Sequence, residues 1–244
     1  MKFFLSLLCT LLTTTCFASV SVFRENSIRY RTSFGECPSK SSGELAILLM
    51  KEFERERSLR TVKEKIIAEK WDEKYFLSHY SLAYNPLTST VRVDFDCPEP
   101  LVRVQIYREN GKEHYSAIMV KGGKLFDPAY EMILKAEKKL EADLPSLAIA
   151  VQDLEGETHE TFTRFAAKIT PQLRGKISEM IINDNKELSV ILSHGPRTTS
   201  VFMGRELWET KLEKLEKIIS YTEKSQKYPV TINLTNAKKV VVKF

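Results

Sequence analysis

At 244 residues, 43% of them hydrophobic and 28% charged, the chain can hold one large domain or two small ones with ample core. The formal charge is only +5, and basic residues are interleaved with acidic ones rather than massed in one segment. Nucleic-acid binding, which needs a concentrated basic surface, is therefore not indicated.

Met1-Lys2 is followed by a nearly uninterrupted apolar run at 3–12, then by Thr13-Thr-Thr-Cys-Phe-Ala18. A basic start, a short greasy core and small residues near Ala18 have the layout of a secretory signal cleaved after Ala18. No charge follows until Arg24, so retention as a membrane anchor is the alternative, although the threonines make the run a poor span. Either way the body of the protein is exported. Cys9 and Cys16 fall in this segment, which leaves Cys37 and Cys97 in the body. An even pair in an oxidising compartment invites a disulfide; two free buried thiols are the other reading. Neither cysteine has a second ligand at short spacing, so no metal site is expected.

The body reads as α+β. A first strand is expected over 26–34, with Ile28, Tyr30 and Phe34 as its apolar markers. Ser41-x-x-Glu44 and Thr61-x-x-Glu64 are capping-box patterns, predicting one helix to about Arg57 and a second that runs to Trp71. Strands follow at 76–84 and 90–96, joined through Asn85-Pro86. Beyond Pro98 the pattern is β-dominated. Strands at 101–107 and 114–120 flank a hairpin signal at 109–112, and Lys121-Gly-Gly-Lys turns into Leu125-Phe126. A helix is expected over 128–142, a strand from Leu147, and a single helix over 158–173 carrying Phe162, Phe165, Ala166 and Ile169, with Gly175 as its C-terminal cap. Strands at 177–182 and 188–192 flank Asn183-Asp-Asn-Lys as a hairpin, and 193–197 reads as a loop.

The closing stretch begins with Ser200-Val-Phe-Met-Gly204. Trp208, Leu212, Leu215 and Ile219 then lie at three- and four-residue steps on one helix face. Lys227-Tyr-Pro breaks that pattern, Val230–Leu234 alternates as a strand, Asn236-Ala-Lys supplies a turn, and Val240–Phe244 ends the chain as a β-rich run. A strand that ends a chain often lies at a sheet edge, where its free N–H and C=O groups can accept a strand from a partner.

The order Ser200–Gly204, amphipathic helix, Ile232-Asn-Leu-Thr-Asn and last β run resembles the end of the FtsQ/DivIB family of bacterial cell-division proteins. Gly123-Lys-Leu-Phe-Asp127 and Leu144-Pro145 before a strand are similar to that family too, and strand, helix, helix, strand, strand before Pro98 is the order of its POTRA module. The resemblance implies a POTRA-like β-α-α-β-β domain at 26–97 and a mostly antiparallel β domain with a C-terminal helix and terminal hairpin at 98–244. It also implies a non-enzymatic divisome scaffold on the periplasmic side of the inner membrane at the septum, or soluble in the periplasm if residues 1–18 are cleaved. Lys239, Val240, Val241, Val242, Lys243 and Phe244 occupy the place of the partner-binding strand. The implied partners resemble FtsB and FtsL, small membrane-anchored coiled-coil proteins. The alternative is a generic periplasmic POTRA-type interaction protein of envelope assembly or secretion, which predicts repeated modules or a long barrel pattern that the sequence lacks.

Catalytic patterns are weak throughout. His79, His114, His159 and His194 have no metal spacing, and Ser193 and His194 are neighbours that a strand would point to opposite faces. No phosphate loop, dinucleotide fingerprint or Gly-x-Ser-x-Gly is present. Asp94 and Asp96 share one strand face and read as a solvated surface. No enzyme activity and no cofactor is expected.

Overall fold

The computed structural model describes residues 28–108, 114–140, 142–236 and 238–244. The expected signal at 1–18, the first residues of the 26–34 strand and the 109–112 turn lie outside the described residues. The fold is mixed α+β, with seven α-helices and two largely antiparallel sheets among the described residues.

The first sheet is built from β1 (Arg29–Ser33), β2 (His79–Asn85) and β3 (Thr90–Asp96), with α1 (Ser39–Glu56), α2 (Leu59–Ala68) and α3 (Trp71–Lys74) between the first two. Its order is β1-β3-β2, with β1 parallel and β2 antiparallel to β3. Strand alternation sends Val91, Val93 and Phe95 to one side, where they meet Leu45, Leu49 and Phe53 of α1 and Val62 and Ile66 of α2. A disulfide between Cys37 and Cys97, Cα atoms 4.9 Å apart, ties the loop before α1 to the end of β3.

Neither expected capping box forms. α1 starts earlier, behind Pro38, and the Ser41 and Ser42 hydroxyls are buried without hydrogen-bond partners. Its first amides are satisfied from far along the chain: Glu137 accepts from the N–H groups of Ser39 (2.6 Å) and Lys40 (3.0 Å). In α2 the cap is Ser58, whose hydroxyl accepts from the Thr61 N–H at 3.3 Å. The strand expected from 76 begins at His79, because Phe76 takes φ +61° and turns its ring away to stack on Tyr130 at 4.7 Å.

The second sheet has nine strands: β4 (Pro100–Tyr107), β5 (His114–Val120), β6 (Leu125–Phe126), β7 (Ser146–Ala150), β8 (Ile177–Ile182), β9 (Leu188–His194), β10 (Arg197–Gly204), β11 (Thr231–Asn233) and β12 (Val241–Lys243). Their order is β12-β11-β10-β9-β8-β7-β4-β5-β6. β4, β7 and β8 pair in parallel, as do β10 and β11, and the remaining pairs are antiparallel. Helices α5 (Glu157–Lys168) and α7 (Trp208–Ser225) cover one face, where Phe162, Phe165, Trp208, Leu212 and Leu215 pack on Val104, Leu147, Met180, Val190 and Val201. Helix α4 (Ala129–Ala136) lies on the opposite face at the β4–β5 end, anchored by Tyr130 and Leu134 against Ile118 and Phe126.

The expected long helix over 158–173 is two pieces. Ile169 leaves the helix (ψ 119°), Thr170 before Pro171 is extended (ψ 150°) because a proline pushes the residue ahead of it out of helical geometry, and Pro171 opens the short α6 (Pro171–Arg174). Gly175 is the C-cap, as expected, but of α6, and it takes φ −65° rather than a left-handed conformation. The helix expected to 142 stops at Ala136, with Lys138 at φ +56°. Beneath α4 the buried Glu131 accepts from Arg103 through both carboxylate oxygens (3.0 and 2.8 Å), and Lys135 Nζ lies 2.8 Å away. Burial pushes its carboxyl up, but these two cations outweigh that and hold it below the usual carboxylate range.

The disulfide closes a loop with a sequence separation of 60. Replacing both cysteines, Cys37→Ser with Cys97→Ser, is expected to lower unfolding free energy by up to about 4 kcal/mol through loop entropy. Guanidinium unfolding measures the loss, and an unchanged far-ultraviolet circular dichroism spectrum verifies that the native fold survives.

Candidate functional site

The two ends of the nine-stranded sheet differ. At one end β6 is only two residues long and faces the turn between α2 and α3. Glu69, Lys70, Glu73 and Lys74 line a shallow hollow there with Leu125, Phe126 and Asp127, and Lys124 Nζ sits 3.2 Å from Asp72. At the other end β12 pairs with β11 on one side, and no described strand pairs with its outer side. Of the six residues singled out from the sequence, Val241, Val242 and Lys243 form this strand. Lys239 and Val240 lead into it, and Phe244 follows it at 64% exposure.

Lys243 gives its carbonyl to the Val230 N–H at 2.8 Å. Alternation along an extended chain then turns the backbone groups of Val242 and Phe244 the other way, toward the open edge. The Val242 side chain packs against the core, whereas Val241 and Lys243 point to the face without α5 and α7. Register places Val241 beside Asn233 and Asn233 beside Phe202, so Val241 (51% exposed) stands on the edge strand itself and Phe202 (41% exposed) two strands in, with Asn233 between them. Outward backbone groups with the exposed Val241 beside them are what a strand added to this edge would meet.

The edge is short, and its supports come from other elements. Thr199 donates its hydroxyl to the Pro229 carbonyl (2.5 Å), Ser200 N–H to Val230 (2.9 Å) and Leu234 N–H to Phe202 (2.8 Å). From α7 the buried Lys211 donates to the Met203 carbonyl at 2.7 Å, linking the end of β10 to the helix that crosses over it. Burial pushes the Lys211 amine below its usual range.

The segment read from sequence as a loop at 193–197 is instead a tight hairpin turn between β9 and β10, and it carries a support that sequence reasoning missed. Gly195 has φ +76°, and a Cβ there would fall 2.6 Å from the Tyr228 ring, so only glycine lets the ring lie against the turn. The same ring meets His194 edge to face, centroids 5.6 Å apart. His194 is 7% exposed, and neither ring nitrogen has a hydrogen-bond partner. Lys176 and Glu223, paired at 2.5 Å, are the charged groups that act on it. Tyr228 stands just ahead of β11, so the His194–Tyr228 contact fixes where the terminal hairpin starts. A buried histidine beside a glycine gives no periodic signal in the sequence.

Ser193 is exposed while its neighbour His194 is buried, so the two do not form a catalytic pair. Asp94 pairs with Arg92 at 2.8 Å on the open face of the first sheet. Among the described residues no group of three or more His, Cys, Asp or Glu side chains could hold a metal ion. No protein-family model matches this chain, and a comparison with curated protein sequences finds no relative.

Burial holds the His194 pKa below its usual value, with Lys176 adding to the depression and Glu223 opposing it. The unfolded chain, with a histidine pKa of about 6.5, therefore takes up the proton first as pH falls. The stability that neutral His194 contributes is complete above about pH 6.5 and is lost as pH drops toward the folded pKa. Thermal unfolding from pH 7.5 to 5.0 is expected to show a falling Tm, with a shallower slope for His194→Phe. Equal slopes would show that other groups carry the acid sensitivity.

Proposed function

We propose that the chain is an exported, non-enzymatic cell-division scaffold of the FtsQ/DivIB type that binds a partner by strand addition at β12. The observation that carries this reading is the position of the last residues. They form the outermost strand of a nine-stranded sheet, with no described strand on its outer side and the exposed Val241 on it. The order of the first sheet, with two helices packed on one face of β1-β3-β2, supports a POTRA-like domain over 26–97. The nine strands with α7 and the closing hairpin support the β domain over 98–244.

In this reading an incoming strand hydrogen-bonds to the outward backbone groups of β12, and its alternate side chains on the face without α5 and α7 meet Val241. The partners are small coiled-coil proteins resembling FtsB and FtsL, reached on the periplasmic side of the inner membrane at the septum. Residues 1–18 tether the protein there if they are kept, and the protein is soluble in the periplasm if they are cleaved.

The test is a pull-down from crosslinked bacterial cells, comparing the full chain with one lacking Lys239 to Phe244, with circular dichroism as the check on folding. Septal coiled-coil proteins are expected with the full chain alone. Equal recovery by both would move the site away from β12, and envelope-assembly proteins in place of septal ones would favour the generic periplasmic role. Val241→Asp, a change on the exposed side of β12, is expected to weaken capture by roughly tenfold or more, as for a central apolar contact, and to leave Tm within about 2 °C.

A further inference from the structure

The first sheet carries an unabsorbed feature at the end where the chain enters it. Arg29 donates its N–H to the Ser89 carbonyl at 2.8 Å, which sets the start of β1 beside the turn between β2 and β3. That turn is a firm projection: the Asn85 side-chain oxygen accepts from the N–H groups of Leu87 (2.9 Å) and Thr88 (3.4 Å). Its tip residue, Leu87, is 94% exposed, more than any other large apolar side chain described.

On the sheet face away from α1 and α2, the same end is basic. Arg31 is the register partner of Arg92, and Arg29 stands two residues nearer the turn. Like charges side by side on neighbouring strands repel, so this pairing costs stability unless an anion lies over it. Arg92 has Asp94 at 2.8 Å, while Arg29 and Arg31 have no side-chain hydrogen bond or ion pair among the described residues. The carboxylates of this face, Asp94 and Asp96, lie farther along β3, so charge changes sign away from the turn.

A leucine left almost wholly exposed on a firm turn and two arginines without partners at the same end of the sheet form one constellation. We infer that this end of the first sheet seats on an anionic phospholipid surface, with Leu87 entering the interface and Arg29, Arg31 and Arg92 meeting headgroup phosphates. The leucine supplies apolar burial, and the guanidinium groups supply paired donors for phosphate oxygens. The acidic far end of the face is repelled, which fixes the orientation. The inference shares with the proposed function only a membrane location; its contacts are made by described residues whether or not residues 1–18 are retained.

Trp71 and Trp208 are both buried, so a Leu87→Trp full chain gains one exposed indole. It is mixed with vesicles of phosphatidylcholine alone or with added phosphatidylglycerol, carrying brominated acyl chains in parallel samples. With phosphatidylglycerol the new emission is expected to shift to the blue and to be quenched by bromine. Adding Arg29→Glu and Arg31→Glu is expected to reduce partitioning at least about twentyfold, each basic residue at an anionic surface being worth roughly fivefold. A solvated, unquenched indole in both vesicle types would overturn the inference. Flotation of the unsubstituted chain separates this from the tether. If it floats with both vesicle types while the indole stays unquenched, the tether stands and the inference falls. If it floats only with phosphatidylglycerol, and the two glutamates abolish that, the inference stands and the tether falls.

Discussion

A parallel strand cannot be reached by a hairpin, and that constraint shapes the whole second sheet. β11 runs parallel to β10, so the chain leaving Gly204 must travel back along the sheet before pairing again. Helix α7 makes the return, burying Trp208, Leu212, Leu215 and Ile219 against the strands it crosses. The same demand between β7 and β8 is met by α5 and α6, and the two long helices pack together over one face. Only when that crossing is complete does the chain turn once more, into β12. The open edge is the remainder of a topology whose core is closed elsewhere.

The opposite edge is closed by the first sheet's helices, and the contacts there are specific. Phe76, at the end of that helical segment, inserts between Phe126 and Tyr130, with centroids 5.8 and 4.7 Å away. Glu137 satisfies the leading amides of α1, and Lys139 donates to the Cys37 carbonyl. A carboxylate near a helix start also complements the helix dipole, so this junction is favoured electrostatically as well as by hydrogen bonding. The disulfide fastens the same loop from the other side. One edge of the large sheet is thus occupied within the chain, and no described strand pairs with the other.

What could be read from the residues depended on how local the cause was. Thr90–Asp96 and Leu101–Tyr107 alternate because each has a buried and a less buried side, and both strands lie where alternation puts them. The stripe of α7 and the β-rich last run were visible for the same reason. Causes that sit far away in sequence were not visible. The α1 amides are capped from Glu137, so Ser41 looked like a cap and is instead a buried hydroxyl. The periodicity of Phe162 to Ile169 continued past a point where Pro171 forbids the helix to continue. The edge residues were marked by position and composition, whereas their support by His194, Gly195 and Tyr228 arises only once β9 and β11 are side by side.

The lysines of the last strand have a consequence for self-association. Lys239 and Lys243 bracket the open edge, and both are exposed. A second copy of β12 docking on the first would bring one set of ammonium groups against another, with no acidic side chain in residues 239–244 to offset them. The strand is short as well, which denies a homotypic ladder the length it would need. The charge of the edge therefore works against pairing with its own kind, a repulsion that a strand carrying acidic side chains would not meet.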